Sequence, residues 1–191
     1  VQHGLDPLTS YDPQSDADGD GLTMADEYTF GFDPTLADLA GAPGVAVIER
    51  WEGIGGSNVS NLTNDSRFPL DPDARSVITS LSFKGFNSPD LDDYGQRIRG
   101  TITAPVSGNY TFWIASDNNS ELWLSEDDTP FLRRQIASVS GHTKLHQWDK
   151  FQQQRSVHVT LAAGQSYDFM ILHKEHKGGD HVAVAWQYPG Q

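Results

Sequence analysis

Cysteine is missing from all 191 residues. Disulfide staples and thiolate metal sites are therefore excluded. A cysteine-free chain suits a bacterial extracellular protein that relies on other staples. Positive charge is scarce: 13 Lys and Arg stand against 26 Asp and Glu, a formal net charge of −13. Such a surface repels nucleic acid and anionic membranes, so no nucleic-acid partner is expected. No apolar run reaches membrane length, so no membrane insertion is expected. No signal peptide stands at the start. The chain opens on Val1 rather than Met, which suggests a processed or excised piece of a larger protein. Sequence signatures of several enzyme classes are also missing: no HExxH, no phosphate-cradling glycine loop and no serine nucleophile elbow. His142 and His146 have helical metal spacing, but no helix and no third ligand accompany them. Acids are numerous enough to supply a hydrolytic carboxylate pair. The domain is small, however, and its acids fall in calcium-like patterns, so the chain is expected not to be an enzyme.

What is present is 37% hydrophobic residues, enough for a core. Near the N-terminus runs DADGDGLTMADE. With Asp16 first, Asp18 is third, Asp20 fifth, Gly21 sixth and Glu27 twelfth, the register of an EF-hand loop. Three short carboxylates reach inward, glycine permits the sharp turn, and the longer Glu27 closes the cage. The Leu22 carbonyl supplies the seventh position. Residues 22–30 read as a short helix stopped by Gly31. The stretch before the loop, GLDPLTSYDPQS, opposes a preceding helix, so the loop is a half-site. The run DADGDGLTMADEYTFGFDPTLAD resembles thrombospondin type-three and related bacterial calcium repeats. A structural Ca2+ that stiffens a connector to neighbouring domains of the same polypeptide is expected there. Gly41-Ala42-Pro43-Gly44 reads as a joint, dividing a 1–42 linker from a 43–191 domain.

From Val45 onward the pattern is short alternating runs between Gly, Pro and Asn turns. Strands are expected over 45–51, 75–83, 96–103, 109–115, 120–124, 155–161, 166–172 and 181–186. In 75–83, Val77, Leu81 and Phe83 alternate with polar residues; in 96–103, Ile98 and Ile102 oppose Arg97 and Arg99. In 109–115, Tyr110, Phe112 and Ile114 share a face. Many short strands with turn signals give an all-β class, an antiparallel sandwich or barrel. Trp123 and Trp186 fall in strand patterns and are assigned to packing. Trp148 lies in a looser segment and is a sugar-stacking candidate if exposed. Asp90, Asp92 and Asp93 read as a solvated loop, with the lining of a sugar groove as the alternative. Asn58 and Asn61 stand in Asn-x-Ser/Thr sequons and mark surface turns.

Four segments together are similar to one family: IERWEGIGGSNVSNLT, DDYGQRIRGTITAPVSGNYTFWIASDNNSELWLS, QWDKFQQQRS and ILHKEHKGGDHVAVAWQYPG. They resemble the protective-antigen-fourteen domain, found in the anthrax toxin component and in yeast flocculin and adhesin lectins, over roughly residues 43–190. The resemblance implies a β-sandwich whose lectin members hold one calcium at a loop tip. There an Asp-Asp pair joined by a cis peptide grips the ion, a second loop adds oxygens, and sugar hydroxyls complete the shell. Asp117 aligns with the first acid and Asn118 with the second, a departure that removes one negative charge. The second loop aligns on 174–181. Asp180 is its side-chain ligand and Gly179 offers a carbonyl. His176 and Lys177 are candidates for setting sugar preference, and Glu175 and His181 are weaker ones. The expected sugar contacts are thus Asp117, Asn118, His176, Lys177, Asp180 and His181.

These readings converge on a calcium-dependent carbohydrate-binding module of a larger secreted bacterial polysaccharide-degrading enzyme or adhesin. Its expected cofactor is Ca2+ and its expected partner a polysaccharide or other glycan. The alternative is a calcium-rigidified structural or adhesion spacer that binds no sugar.

Overall fold

Residues with period-two alternation pair into two antiparallel layers. The computed structural model describes residues 46–84 and 91–190, with Asp12, Ser15 and Met24 from the N-terminal segment. The expected calcium loop of Asp16, Asp18, Asp20, Leu22 and Glu27, and the joint at 41–44, lie outside the described residues.

Ten strands are described: β1 Ala46–Trp51, β2 Ala74–Ile78, β3 Ser82–Lys84, β4 Tyr94–Thr103, β5 Gly108–Asp117, β6 Ser120–Leu124, β7 Arg134–Val139, β8 Val159–Leu161, β9 Ser166–Glu175 and β10 His181–Gln187. A short helix, α1 Val59–Thr63, follows β1. One sheet has the order β2-β1-β4-β9-β6-β7, the other β3-β10-β5-β8. The core lies between them. Ile48, Ile98, Leu122 and Ile171 from the first sheet meet Tyr110, Phe112, Ile114 and Val182 from the second. Burying each such side chain contributes roughly 1.5–3 kcal/mol.

The outer face of the six-stranded sheet carries a second apolar cluster. Trp51, Ile54, Val59, Leu62 and Leu172 pack there, with α1 as the cover. Asn61 Oδ1 accepts the Asn58 amide at 3.0 Å at the helix start. The cover sits very close to the sheet at Gly95. A Cβ added there meets Leu62 Cδ1 at 2.8 Å and Leu62 Cβ at 2.9 Å. Gly95→Ala is expected to destabilise the domain by about 1–3 kcal/mol through this overpacking. Urea unfolding measures it, and a change under about 0.5 kcal/mol would contradict the close approach.

The structure corrects two strand expectations and adds a strand. The run 75–83 is two strands in different sheets, with Val77 44% exposed and Ile78 turned toward the core. Only 159–161 of the run 155–161 pairs continuously. The strand β7 was not anticipated, because RQIASV carries few apolar residues. Arg97 and Arg99, which alternate with Ile98, are both buried and bonded to the buried Glu49. Trp123 is half-buried on the side away from Leu122 and Leu124, its Nε1 donating to Glu121 at 3.0 Å. Trp186 packs against the core as expected of it. Trp148 is half-buried and stacks on His146 with centroids 5.7 Å apart.

Candidate functional site

One end of the sandwich gathers the chemistry. Asp117 ends β5, Ser120 opens β6, and Asn118 and Asn119 turn between them. The Asp117–Asn118 peptide is cis, the arrangement the resemblance implies for this pair. Ser116 Oγ donates to the Asn118 carbonyl at 2.6 Å, and Asn118 Nδ2 donates to Asp117 Oδ1 at 3.0 Å. The Asp117 carbonyl accepts from His173 Nε2 at 2.7 Å, while His173 Nδ1 faces Gln96 Nε2 at 2.9 Å. A ring that donates from Nε2 and accepts at Nδ1 is neutral. Burial agrees, pushing the His173 imidazole down to about 3.

The second loop, between β9 and β10, comes to the same place. The His176 amide donates to Asn118 Oδ1 at 2.9 Å. A Cβ built on Gly179 lies 3.8 Å from Asp117 Oδ2. Gly178 takes φ +104°, a conformation glycine permits. Asp180 accepts the Tyr94 hydroxyl at 2.7 Å. In the sheet His181 is the register partner of Asp117.

A third loop braces the second. Asp92 Oδ1 accepts the Gly178 amide at 3.0 Å, and Asp93 Oδ1 meets His176 Nδ1 at 2.6 Å. The Asp93 amide donates to the His176 carbonyl at 2.8 Å. Asp92 and Asp93 are thus scaffolding for the site rather than a free solvated loop. The reason is the β4–β9 register, which sets Tyr94 opposite Glu175 and continues into both loops. That pairing spans about eighty residues of sequence and leaves no local signal.

The electrostatics are unbalanced toward negative charge. Burial pushes the Asp117 carboxyl up; His142 and His181 pull it back and Asp180 pushes it further up. Glu175 is fully buried, and neither of its carboxylate oxygens has a hydrogen-bond partner among the described residues. Burial raises it to about 8, with Asp117 and Asp180 adding to the shift and Lys174 opposing it. Lys174 is buried too, its ammonium donating to the Glu175 carbonyl, and burial lowers it to about 8.

The sequence-derived site residues separate as follows. Asp117, Asn118, Gly179 and Asp180 stand together, with His176 adjoining them. Lys177 is exposed on the same loop. His181 is 8% exposed and lies behind the rim rather than on the open surface. His142 is exposed and bridges to Asp117, and His146 bonds Ser82 at 2.7 Å, so the two do not act as a pair. Tyr94, His173 and Glu175 complete the setting.

Among the described residues, no three His, Asp or Glu side chains converge as a metal cage on their own. A cation here needs the Asn118 amide oxygen and backbone carbonyls beside Asp117 and Asp180. Those donors are hard oxygens, and neither aspartate forms a salt bridge among the described residues. That chemistry fits Ca2+, which takes six to eight oxygens.

The comparisons with known proteins agree with this architecture. Residues 41–191 match the family model of the PA14 domain. A Mus musculus N-acetyl-beta-glucosaminyl-glycoprotein 4-beta-N-acetylgalactosaminyltransferase 1 is 37% identical over 159 residues, covering 81% of this chain. Fibrocystin of Canis lupus familiaris is 28% identical over 149 residues, covering 74%. The match spans only 15% and 3% of those two proteins. Among solved structures, the PA14 sugar-binding domain from an RTX adhesin aligns with TM-score 0.57 at 14% identity, covering 78% of this chain and 93% of that one. The epithelial adhesin 9 A domain of Candida glabrata, solved with Galb1-3GlcNAc, aligns with TM-score 0.53 at 11% identity, covering 80% and 87%. At those identities the likeness is one of fold. The family match across most of the chain, on a two-sheet antiparallel sandwich, shows that this chain belongs to the PA14 domain family.

Proposed function

We propose that this domain is a calcium-dependent glycan-binding module of a larger secreted protein, acting by binding rather than catalysis. The observation that supports it most is the meeting of two loop tips, Asp117–Asn118 and Gly179–Asp180, at the open end of a rigid sandwich. Two further facts support it: family relatives include a sugar-binding adhesin domain and one solved with a disaccharide.

Bound Ca2+ would supply positive charge and free coordination positions for neighbouring sugar hydroxyls. The protein's own part is to aim oxygens and hold the loops still. Asp117 and Asp180 would give carboxylate oxygens, Asn118 an amide oxygen, and Gly179, which adjoins Asp117, its carbonyl. His173, Ser116 and Tyr94 fix those groups from behind. His176 and Lys177 flank the opening and would touch the sugar's substituents.

A glycan array probed with calcium and with EDTA tests the proposal. Binding is expected in calcium and should vanish in EDTA. Failure to bind any glycan in millimolar-range Ca2+ overturns it. One observation favours the alternative of a calcium-rigidified spacer: Asn118 replaces an acid, and its Oδ1 already accepts the His176 amide. The spacer predicts a calcium-dependent rise in melting temperature with no sugar affinity.

A further inference from the structure

Eight arginines and five lysines make up the 13 basic side chains. The two kinds are used differently. Seven arginines form salt bridges with carboxylates. The eighth, Arg155, lies over the Trp113 ring at 5.6 Å. These pairs are scattered over the sandwich. All five lysines instead stand at the end that carries Asp117 and Asp180.

The placement follows from the register. Lys84 ends β3 opposite His181, whose other neighbour is Asp117. Lys144 and Lys150 belong to the segment that lies against β5 through the His142–Asp117 bridge and the Thr143 amide, which donates to the Ser116 carbonyl at 2.8 Å. Lys177 is on the β9–β10 loop. Lys174 is the buried one, beside Glu175. The other four are exposed. None of the four forms a salt bridge among the described residues. The Lys150 ammonium donates to the His142 carbonyl, lies 5.2 Å from the Phe151 ring and faces the Asp117 carboxylate.

An evenly solvated surface does not require this arrangement. In a chain of net charge −13, carboxylates for these ammoniums are plentiful, as the arginines show. Lysines exposed around the mouth offset the negative charge of the Asp117 and Asp180 carboxylates and give an anionic group on a ligand ammoniums to pair with. They also weaken any cation held by Asp117 and Asp180, since like charges repel. A ligand that presents hydroxyls to the cation and a negative group to the ammoniums satisfies both.

On the glycan-binding reading above, we propose that the saccharide taken here is acidic. Its carboxylate or sulfate pairs with the exposed lysines Lys84, Lys144, Lys150 and Lys177, beside the Asp117–Asp180 loops.

The test titrates the full chain, in calcium, with short oligouronates, sulfated oligosaccharides and their carboxyl-reduced or desulfated counterparts. An acidic ligand should bind at least about tenfold more tightly than its neutral counterpart at low salt, and the gap should close as salt rises. Which acid wins distinguishes carboxylate from sulfate. The double variant Lys84→Gln/Lys144→Gln should lose roughly fivefold in affinity for the acidic ligand and keep its melting temperature. Equal or tighter binding of the neutral counterpart overturns the acidic inference but leaves the glycan reading standing. So does undiminished acidic binding by the double variant. Equal binding of a single-stranded DNA oligomer of matched charge overturns it as mere ion exchange. If no saccharide binds at all, the parent reading fails and takes this inference with it.

Discussion

Replacing Glu49 by glutamine is expected to lower the unfolding free energy by about 3–5 kcal/mol. Glu49 is 3% exposed on β1. Its Oε2 accepts from Arg97 Nε at 2.7 Å and Arg99 Nε at 3.1 Å, and its Oε1 accepts from Arg99 Nη2 at 3.2 Å. Arg75 adds a weaker contact at 3.9 Å. One carboxylate thus compensates two guanidiniums that have left water. Removing its charge takes the nearest counter-charge from two buried guanidiniums, and breaking a buried pair costs far more than the pair contributes. Acid should reproduce the effect. Burial pushes the Glu49 carboxyl up, but Arg97 and Arg99 outweigh it and hold it at about 2, below its ordinary 4.5. The contribution is therefore present above about pH 4.5 and lost as pH falls toward 2. Urea unfolding across that window should show the wild type losing stability faster than Glu49→Gln. A variant within about 1 kcal/mol of wild type at pH 7, with the same acid profile, would refute the argument.

The second large effect concerns ligand. Asp117→Ala should weaken calcium-dependent glycan binding roughly 100-fold or more, since it removes a charged oxygen from the proposed cation site. The fold should survive. The loop is held through the Asp117 carbonyl by His173, through the Asn118 carbonyl by Ser116 and through Asn118 Oδ1 by the His176 amide, and none of these uses the Asp117 side chain. Calorimetry should show wild type stabilised by about 2.7 kcal/mol when free calcium is a hundred times its Kd. The variant should show little of this gain. Full glycan affinity in Asp117→Ala would move the site elsewhere.

Much of this site was legible because its signals are local. The alternation of Tyr110, Phe112 and Ile114 needs only neighbouring residues to declare a strand, and Asp117-Asn118-Asn119 declares a turn where it ends. The bracing of that turn was not legible. His173 reaches that turn, and Tyr94 and Asp93 brace the facing loop at Asp180 and His176, all from strands and loops distant in sequence and through pairing alone. The burial of Arg97 and Arg99 was not legible for the same reason. Charged residues alternating with Ile98 suggest a wet face, and only α1 with its covering loop turns that face into an interior. Trp123, assigned to packing by its strand pattern, sits instead on the outer side of β6.

By itself the sequence determined the class of structure, the places where strands and turns fall, and the oxygen-rich character of the two loop tips. Side-chain period and turn chemistry act over a few residues, so they are written along the chain. Tertiary structure alone decided which tips meet, which charges are buried and where the exposed lysines gather. Those follow from strand register between segments up to about eighty residues apart, and register is a property of paired strands rather than of either one.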